Sequence, residues 1–268
     1  MNKIRLDIGD RTLEYSYPQS FDECDGRRLI FAARIILYNS DDDATREFIG
    51  IPKELFSYLS KMHILSVRDS LSWITETTES MSFREWKIPT IELDGELYYG
   101  PMSNFGNVTW GEFIYADQCM ANGMLDAAIA AMFRQKMMDY DGETDIRVPF
   151  TIFGTVHRHG IMSQLDESTK LAIILNYMAM RRASIEETYT YMFNTPVKHQ
   201  EANDNLPDDT PADPFDSDEN HTVSWTMVHR NLIRENICEE EKFLNLNVHT
   251  VLHFLNNRIM EYRRPKHA

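Results

Sequence analysis

His249 and His253 are the sharpest candidates for chemistry in this sequence. Four residues apart on a helix, two imidazoles point the same way and can chelate one divalent ion. Two ligands do not complete a site. The stretch lacks the glutamate beside the first histidine that a zincin helix carries, and spacing offers no third ligand. The pair therefore reads as surface or interfacial histidines. His157-Arg158-His159 could bind phosphate or act in acid–base work, because histidine titrates near neutrality. The plainer reading of that stretch is a polar loop beside a strand.

Cys119 lies in an apolar helical pattern and reads as a small buried hydrophobe, with nothing near it in sequence to depress its pKa. Gly100, Gly106 and Gly111 are not spaced as Walker or dinucleotide-binding loops require, and Pro101 and Trp110 stand where such loops need close backbone approach. A G-x-S-x-G nucleophile elbow is also missing. The acidic runs Asp41-Asp42-Asp43 and Glu239-Glu240-Glu241 lie near expected helix ends, where solvated charge explains them. On this reading no residue is assigned a catalytic, cofactor-binding or metal-binding role. No cofactor is expected, and the protein is not expected to be an enzyme.

The elements that would position any site are mainly helical, with small hairpins. Ile4, Leu6 and Ile8 alternate with polar residues, Gly9-Asp10 supplies a turn, and Leu13, Tyr15 and Tyr17 alternate on the return, which predicts an N-terminal β-hairpin ended by Pro18. Ser20-Phe21-Asp22-Glu23 has capping-box spacing and predicts a helix with Leu29, Ile30, Ala33 and Leu37 on one face. Shorter helices are expected from near Asp42, Pro52 and Ser66, the second with an apolar stripe of Leu55, Tyr58, Leu59 and Met62. A central hairpin follows, with Ile91, Leu93, Leu97 and Tyr99 around Asp94-Gly95, the strongest turn signal in the chain.

Thr109-Trp110-Gly111-Glu112 is a second capping box, opening a helix that Gly123 should break. Trp110 and Phe113 sit in its first turn and are expected to serve the fold rather than a ligand. A helix from Leu125 through Met138, an acidic loop over residues 139–145, a less regular segment to Gly160, and a long helical region from Ser163 to about Phe193 complete the first part. This gives a mainly α, α+β class: a helical bundle-like body over residues 1–193, with an N-terminal and a central hairpin. Residues 194–221 hold Pro196, Pro207, Pro211 and Pro214 among acidic residues and few apolar anchors, so they read as a flexible linker or long loop. Residues 222–268 read as a C-terminal helical pair, over about 223–236 and 246–263, free either to fold back on the body or to dock elsewhere. Val248, Leu252, Leu255 and Ile259 are in register on the second of these helices.

Composition narrows the partners. Forty-two acidic against 27 basic side chains give a net charge of −15, which opposes non-specific attraction to nucleic acid or anionic lipid. The basic clusters at Arg181-Arg182 and at Arg263, Arg264 and Lys266 are too short for a nucleic-acid footprint. The 15 methionines fall mostly among apolar residues at helical spacing and read as core. The N-terminus has no apolar signal region, and residues 171–180, interrupted by Asn176, are too short to cross a bilayer. Cys24, Cys119 and Cys238 are isolated and odd in number, which favours a reducing cytoplasm.

One resemblance adds context. Over roughly residues 12–135, the order of features resembles a group of uncharacterised proteins carried by phages, prophages and mobile elements of Bacteroidetes. The residues that carry it are Tyr17-Pro18-Gln19-Ser20, then Ile88-Pro89 with a hairpin ending in Tyr99-Gly100-Pro101, then Thr109-Trp110-Gly111-Glu112-Phe113, and finally Ala131-Met132-Phe133-Arg134. The group's last motif reads Ala, Leu, Tyr, Arg, Pro, from which Met132, Phe133 and Gln135 depart. The resemblance implies a phage or mobile-element setting and a role in tail or virion assembly; with no catalytic constellation in the sequence and an acidic composition, the leading reading is a non-enzymatic protein-interaction factor, first a tail or virion assembly chaperone, alternatively a minor structural component of the particle. Its partners would be other phage or mobile-element structural proteins, in the host cytoplasm or in the virion. The competing class is an enzyme with a non-standard site around His157, His159 or His249.

Overall fold

The N-terminal hairpin forms as its alternation requires: β1 (Asn2–Ile8) lies antiparallel to β2 (Arg11–Tyr17), with Ile4 opposite Tyr15 and Ile8 opposite Arg11. A computed structural model of the chain describes residues 2–8, 11–39, 41–142, 145–193, 225–233 and 237–262. The expected Gly9-Asp10 turn and the acidic segment 194–221 lie outside the described residues.

Ser20 does not cap a helix. It precedes a single turn, Phe21–Glu23, in which the Gln19 amide donates to the Glu23 carboxylate at 2.9 Å. Helix α1 (Gly26–Tyr38) starts beyond it, where Asp25 accepts the Arg28 amide at 2.7 Å. Leu29 and Ala33 are buried on α1 as expected, but Leu37, in the last turn before Asn39 ends the helix at φ 43°, is exposed. Helices α2 (Asp42–Ile49), α3 (Lys53–Phe56), α4 (Lys61–Asp69) and α5 (Trp73–Glu76) follow. The helix start expected at Ser66 is at Ser60 instead, which caps α4 through the His63 amide.

In the central hairpin β3 (Thr90–Leu93) pairs antiparallel with β4 (Glu96–Tyr99). Asp94 and Gly95 both take left-handed conformations, φ 52° and 77°, as a two-residue turn between right-twisted strands needs. Helix α6 (Trp110–Ala121) is capped by Thr109 and ends before Gly123, at φ 71°. Helix α7 (Leu125–Met132) is shorter than its composition predicts. The chain turns extended at Phe133, whose ring is buried, and β5 (Arg134–Gln135) joins β4 as a third antiparallel strand. Pairing and burial override the helix propensity of the following residues.

Residues 152–162 form helix α8 (Ile152–Met162), capped by Thr151, where the sequence predicts a less regular segment. Helix α9 (Glu167–Arg181) begins on an Asp166 cap rather than at Ser163, and a wide turn (Arg182–Glu186) leads to α10 (Thr190–Phe193). The expected C-terminal pair is three helices among the described residues: α11 (Trp225–Ile233), α12 (Glu240–Leu244) and α13 (Val248–Tyr262). No helix among the described residues is long and apolar enough to cross a membrane.

The C-terminal helices share the core of the body. Trp110 stacks on Phe113 at 5.9 Å between ring centres, and Trp225 meets both rings edge-on at 5.6 and 5.4 Å. Backbone bonds lock the contact: the Trp110 amide donates to the Leu246 carbonyl at 2.7 Å, and the Val248 amide to the Val108 carbonyl at 3.0 Å. Val248, Leu252, Leu255 and Ile259 are all buried, as their register predicts. Asn176, the polar interruption in α9, is buried as a bolt: its side chain accepts from the Lys87 amide and donates to the Glu85 carbonyl, holding the approach to β3.

Candidate functional site

The densest polar constellation among the described residues is buried, and Glu112 is its centre. Thr109 caps α6 through the Glu112 amide, as the capping box predicts, but the glutamate does not reach back to complete the box. It turns inward and is 0% exposed. One carboxylate oxygen accepts from Arg134 Nη2 at 2.7 Å and the other from Arg147 Nη1 at 2.7 Å, with Arg147 Nη2 at 3.3 Å as a further contact. Asp145, from the acidic loop, takes the other side of Arg147, its oxygens 3.0 Å from Nε, and lies 3.3 Å from Arg134. Asn107 donates to Asp145 at 2.7 Å and so orients it.

Arg134 and Arg147 share Glu112 and Asp145, and Arg158, also buried, adds a third guanidinium that feels the Glu112 charge but bonds Thr155 and a carbonyl rather than a carboxylate. The last turn of α7 supplies the balancing negative potential. Arg147 donates to the Met132 carbonyl at 2.8 Å and Arg158 Nε to the Ala130 carbonyl at 3.0 Å. These are helix-terminal carbonyls, where the macrodipole favours cations. Burial pulls Arg134 down to about 10, with Glu112 opposing it. Burial also works against the Arg147 charge, but Glu112 and Asp145 together outweigh it and the net shift is upward. Both remain cationic at neutral pH. Because both Glu112 oxygens are engaged and enclosed, the cluster acts as a cross-link joining α6, the end of α7, β5 and residues 145–148.

A second network ties α6 to α9 and α11. Asp117 accepts from Trp225 Nε1 at 2.7 Å and from the Tyr177 hydroxyl at 3.1 Å, and pairs with Arg181 at 2.8 Å. Burial, reinforced by the Asp117 charge, raises the Tyr177 hydroxyl well above its ordinary value.

The candidate histidines do not converge. His249 uses both ring nitrogens within the chain, Nδ1 with the Tyr189 hydroxyl at 2.8 Å and Nε2 with the Asn104 carbonyl at 2.6 Å. His253 meets Asn257 instead. His157 and His159 lie on α8, not in a loop beside a strand; both are exposed, while Arg158 between them points inward. Cys119 is buried, and burial raises its thiol. Among the described residues no group of three or more His, Cys, Asp or Glu is placed to hold a metal ion.

The chain matches no family model, curated protein or solved structure. Its surface therefore has to be read on its own chemistry, and there two apolar regions stand out. Tyr58, in the turn before α4, is 76% exposed, and Met62 on α4 is 74% exposed, with Leu65 half-exposed one turn on. The sequence reads Tyr58 and Met62 as one side of a core stripe, yet both face outward. The other region is the outer face of α8, with Ile152, Phe153 and Val156.

Proposed function

We propose that this protein is a non-enzymatic interaction factor that holds an apolar segment of another protein, acting in the cytoplasm during assembly of a phage-like tail or particle. The outward row of Tyr58, Met62 and Leu65 carries the interaction half of this reading. Clustered exposed apolar side chains mark protein-binding surfaces, and methionine and aromatic residues adapt to varied partners. The exposed charges of the same stretch are of both signs, Glu54 and Asp69 with Lys53 and Lys61. The phage setting rests on the resemblance over residues 12–135 alone. The isolated cysteines, two of them buried, support the reducing compartment.

Co-expression with the products of neighbouring genes tests the reading. A structural protein should co-purify with the chain, and Met62→Asp with Leu65→Asp should abolish capture without lowering the melting temperature. Finished particles should lack the protein by mass spectrometry. Failure to capture any particle protein, together with normal particles formed without this chain, overturns the proposal.

A further inference from the structure

Helix α8 carries a second face with no partner among the described residues, independent of the one above. Thr155, Arg158 and Met162 point into the body, whereas Phe153 is 88% exposed and Val156 63% exposed on the opposite side. Gly160 lies on the exposed side too. The two glycines of this helix differ in kind. A Cβ on Gly154 would meet the Thr151 hydroxyl at 2.9 Å and Arg158 Nη1 at 3.1 Å, so the fold itself requires that glycine. A Cβ on Gly160 would meet nothing within 4 Å, and its φ is not left-handed. Glycine there costs about 0.5–1 kcal/mol relative to alanine, and no contact among the described residues explains it.

The spacing makes the face complementary to itself. Phe153 and Gly160 are seven residues apart, close to two turns and about 10.5 Å along the axis, so they share one side of the helix. In an antiparallel pair related by a two-fold axis passing between Val156 and His157, Phe153 of each copy lies over Gly160 of the other. The bulky ring at one end fits the bare backbone at the other, and an isologous contact makes the fit twice.

Charge and area agree with that occupant. Two chains of net charge −15 repel each other overall, but α8 contains no acidic residue and so brings no like-charged carboxylates together at the contact. A surface hollow of about 390 Å³ lined by Met124, Leu125, Val156 and His159 continues the apolar face toward α7. The carboxylate in it, Asp126, is occupied by Lys170 at 2.9 Å. The exposed parts of Ile152, Phe153, Val156, Met124 and Leu125 amount to roughly 500 Å² per copy, so a symmetric pair that covered them fully would bury about 1,000 Å², the threshold for a specific interface and below the range of large permanent ones.

We infer that the outer face of α8 is the docking surface for a second copy of this chain, packed antiparallel with Phe153 of each copy over Gly160 of the other. Sedimentation equilibrium of the full chain tests the stoichiometry. The wild type should be a dimer, and Phe153→Asp or Gly160→Leu should weaken association by about tenfold or more, with unchanged circular dichroism. Geometry is tested by cysteine cross-linking in a Cys238→Ser background. His157→Cys, beside the two-fold axis, should form an intermolecular disulfide faster than Phe153→Cys, while Phe153→Cys with Gly160→Cys should cross-link efficiently. A monomeric wild type, a dimer indifferent to Phe153→Asp, or equal cross-linking at positions 153 and 157 overturns the inference. So does a complex with a different protein that Phe153→Asp abolishes while the chain itself stays monomeric. Loss of partner capture through Met62 and Leu65 would leave these readouts unmoved, so the two surfaces fail separately.

Discussion

Replacing Glu112 by glutamine keeps the shape of the side chain and removes the negative charge that sits between two buried guanidiniums. The carboxylate accepts from Arg134 at 2.7 Å and from Arg147 at 2.7 and 3.3 Å. Glutamine keeps one acceptor oxygen, while its amide nitrogen is aimed at a guanidinium that has only donors to offer. Arg134 and Arg147 are then left with Asp145 and the carbonyls of Val148, Met132 and Asn107. Removing one partner of a buried ion pair costs about 3–5 kcal/mol, against a total stability of roughly 5–15 kcal/mol for a folded domain. At about 2–4 °C per kcal/mol for a chain of this size, the melting temperature should fall by around 10 °C. Urea and thermal unfolding at pH 7, followed by circular dichroism, read this directly. Asp145→Asn should cost less, because that side chain is 24% exposed and water can replace part of the pairing. Glu112→Gln combined with Arg147→Met should cost less than the sum of the two single changes. A loss below about 1 kcal/mol for Glu112→Gln would refute the reasoning, since two buried guanidiniums that lose their enclosed counter-ion and keep only a partly exposed one cannot be that cheap.

Trp110→Ala should destabilise the chain by about 3–5 kcal/mol, because the ring is fully buried between Phe113 and Trp225; an unchanged melting temperature with lost partner capture would place this ring on a binding surface instead. Thiol labelling of the native protein should be fast at exposed Cys238 and slow at Cys24, which burial pushes up to about 12, and at buried Cys119 until urea unfolds the chain. Fast native labelling of Cys24 contradicts the packing around it. Burial pulls the Asp166 carboxyl upward, but hydrogen bonds from the hydroxyls and amides of Thr169 and Ser168 outweigh it and hold the group below its ordinary value of 3.8. Its contribution is therefore full above the unfolded value and is lost as pH falls through the lower folded one. Asp166→Asn should flatten the decline of the urea midpoint as pH falls below the unfolded carboxyl value, and an unchanged slope counts against the cap.

Local signals were legible where local chemistry decides the outcome. Asp94-Gly95 has few alternatives to a tight turn, Thr109 is an oxygen placed before an apolar run, and the spacing of Val248 to Ile259 finds one buried face. The ion cluster was not legible. Glu112 satisfies a capping pattern three residues after Thr109, and nothing near it in sequence marks it for burial with arginines at positions 134 and 147. Only the loop closure that brings β5 and residues 145–148 against α6 reveals the pairing. Helix α8 was missed because Gly154 and Gly160 lower its propensity, while the groups that fix it, Thr151 at the cap and Arg158 on the Ala130 carbonyl, act through tertiary contact. Tyr58 and Met62 show the converse: the helical spacing of Leu55, Tyr58, Leu59 and Met62 assumes one helix, but α3 ends at Phe56 and α4 begins at Lys61, so the stripe is divided and Tyr58 and Met62 face outward.

The tryptophan lock between α6 and the C-terminal helices bears on how the chain folds as it is made. Trp110 bonds His229 across 119 positions of sequence, and Asn247 bonds Gly106 across 141. At ribosomal rates of about 5–20 residues per second, α6 waits on the order of ten seconds for its cover to be synthesised. For that interval the nascent chain presents Trp110 and Phe113 without Trp225 over them, an adhesive surface that the finished molecule hides. Once the C-terminal helices emerge, closure is cheap, because each doubling of the intervening loop adds only about 0.6 kcal/mol of entropy. Premature termination is thus more damaging than insertion: a chain that stops before α11 keeps its nascent adhesiveness, whereas one with a longer connection still completes the lock.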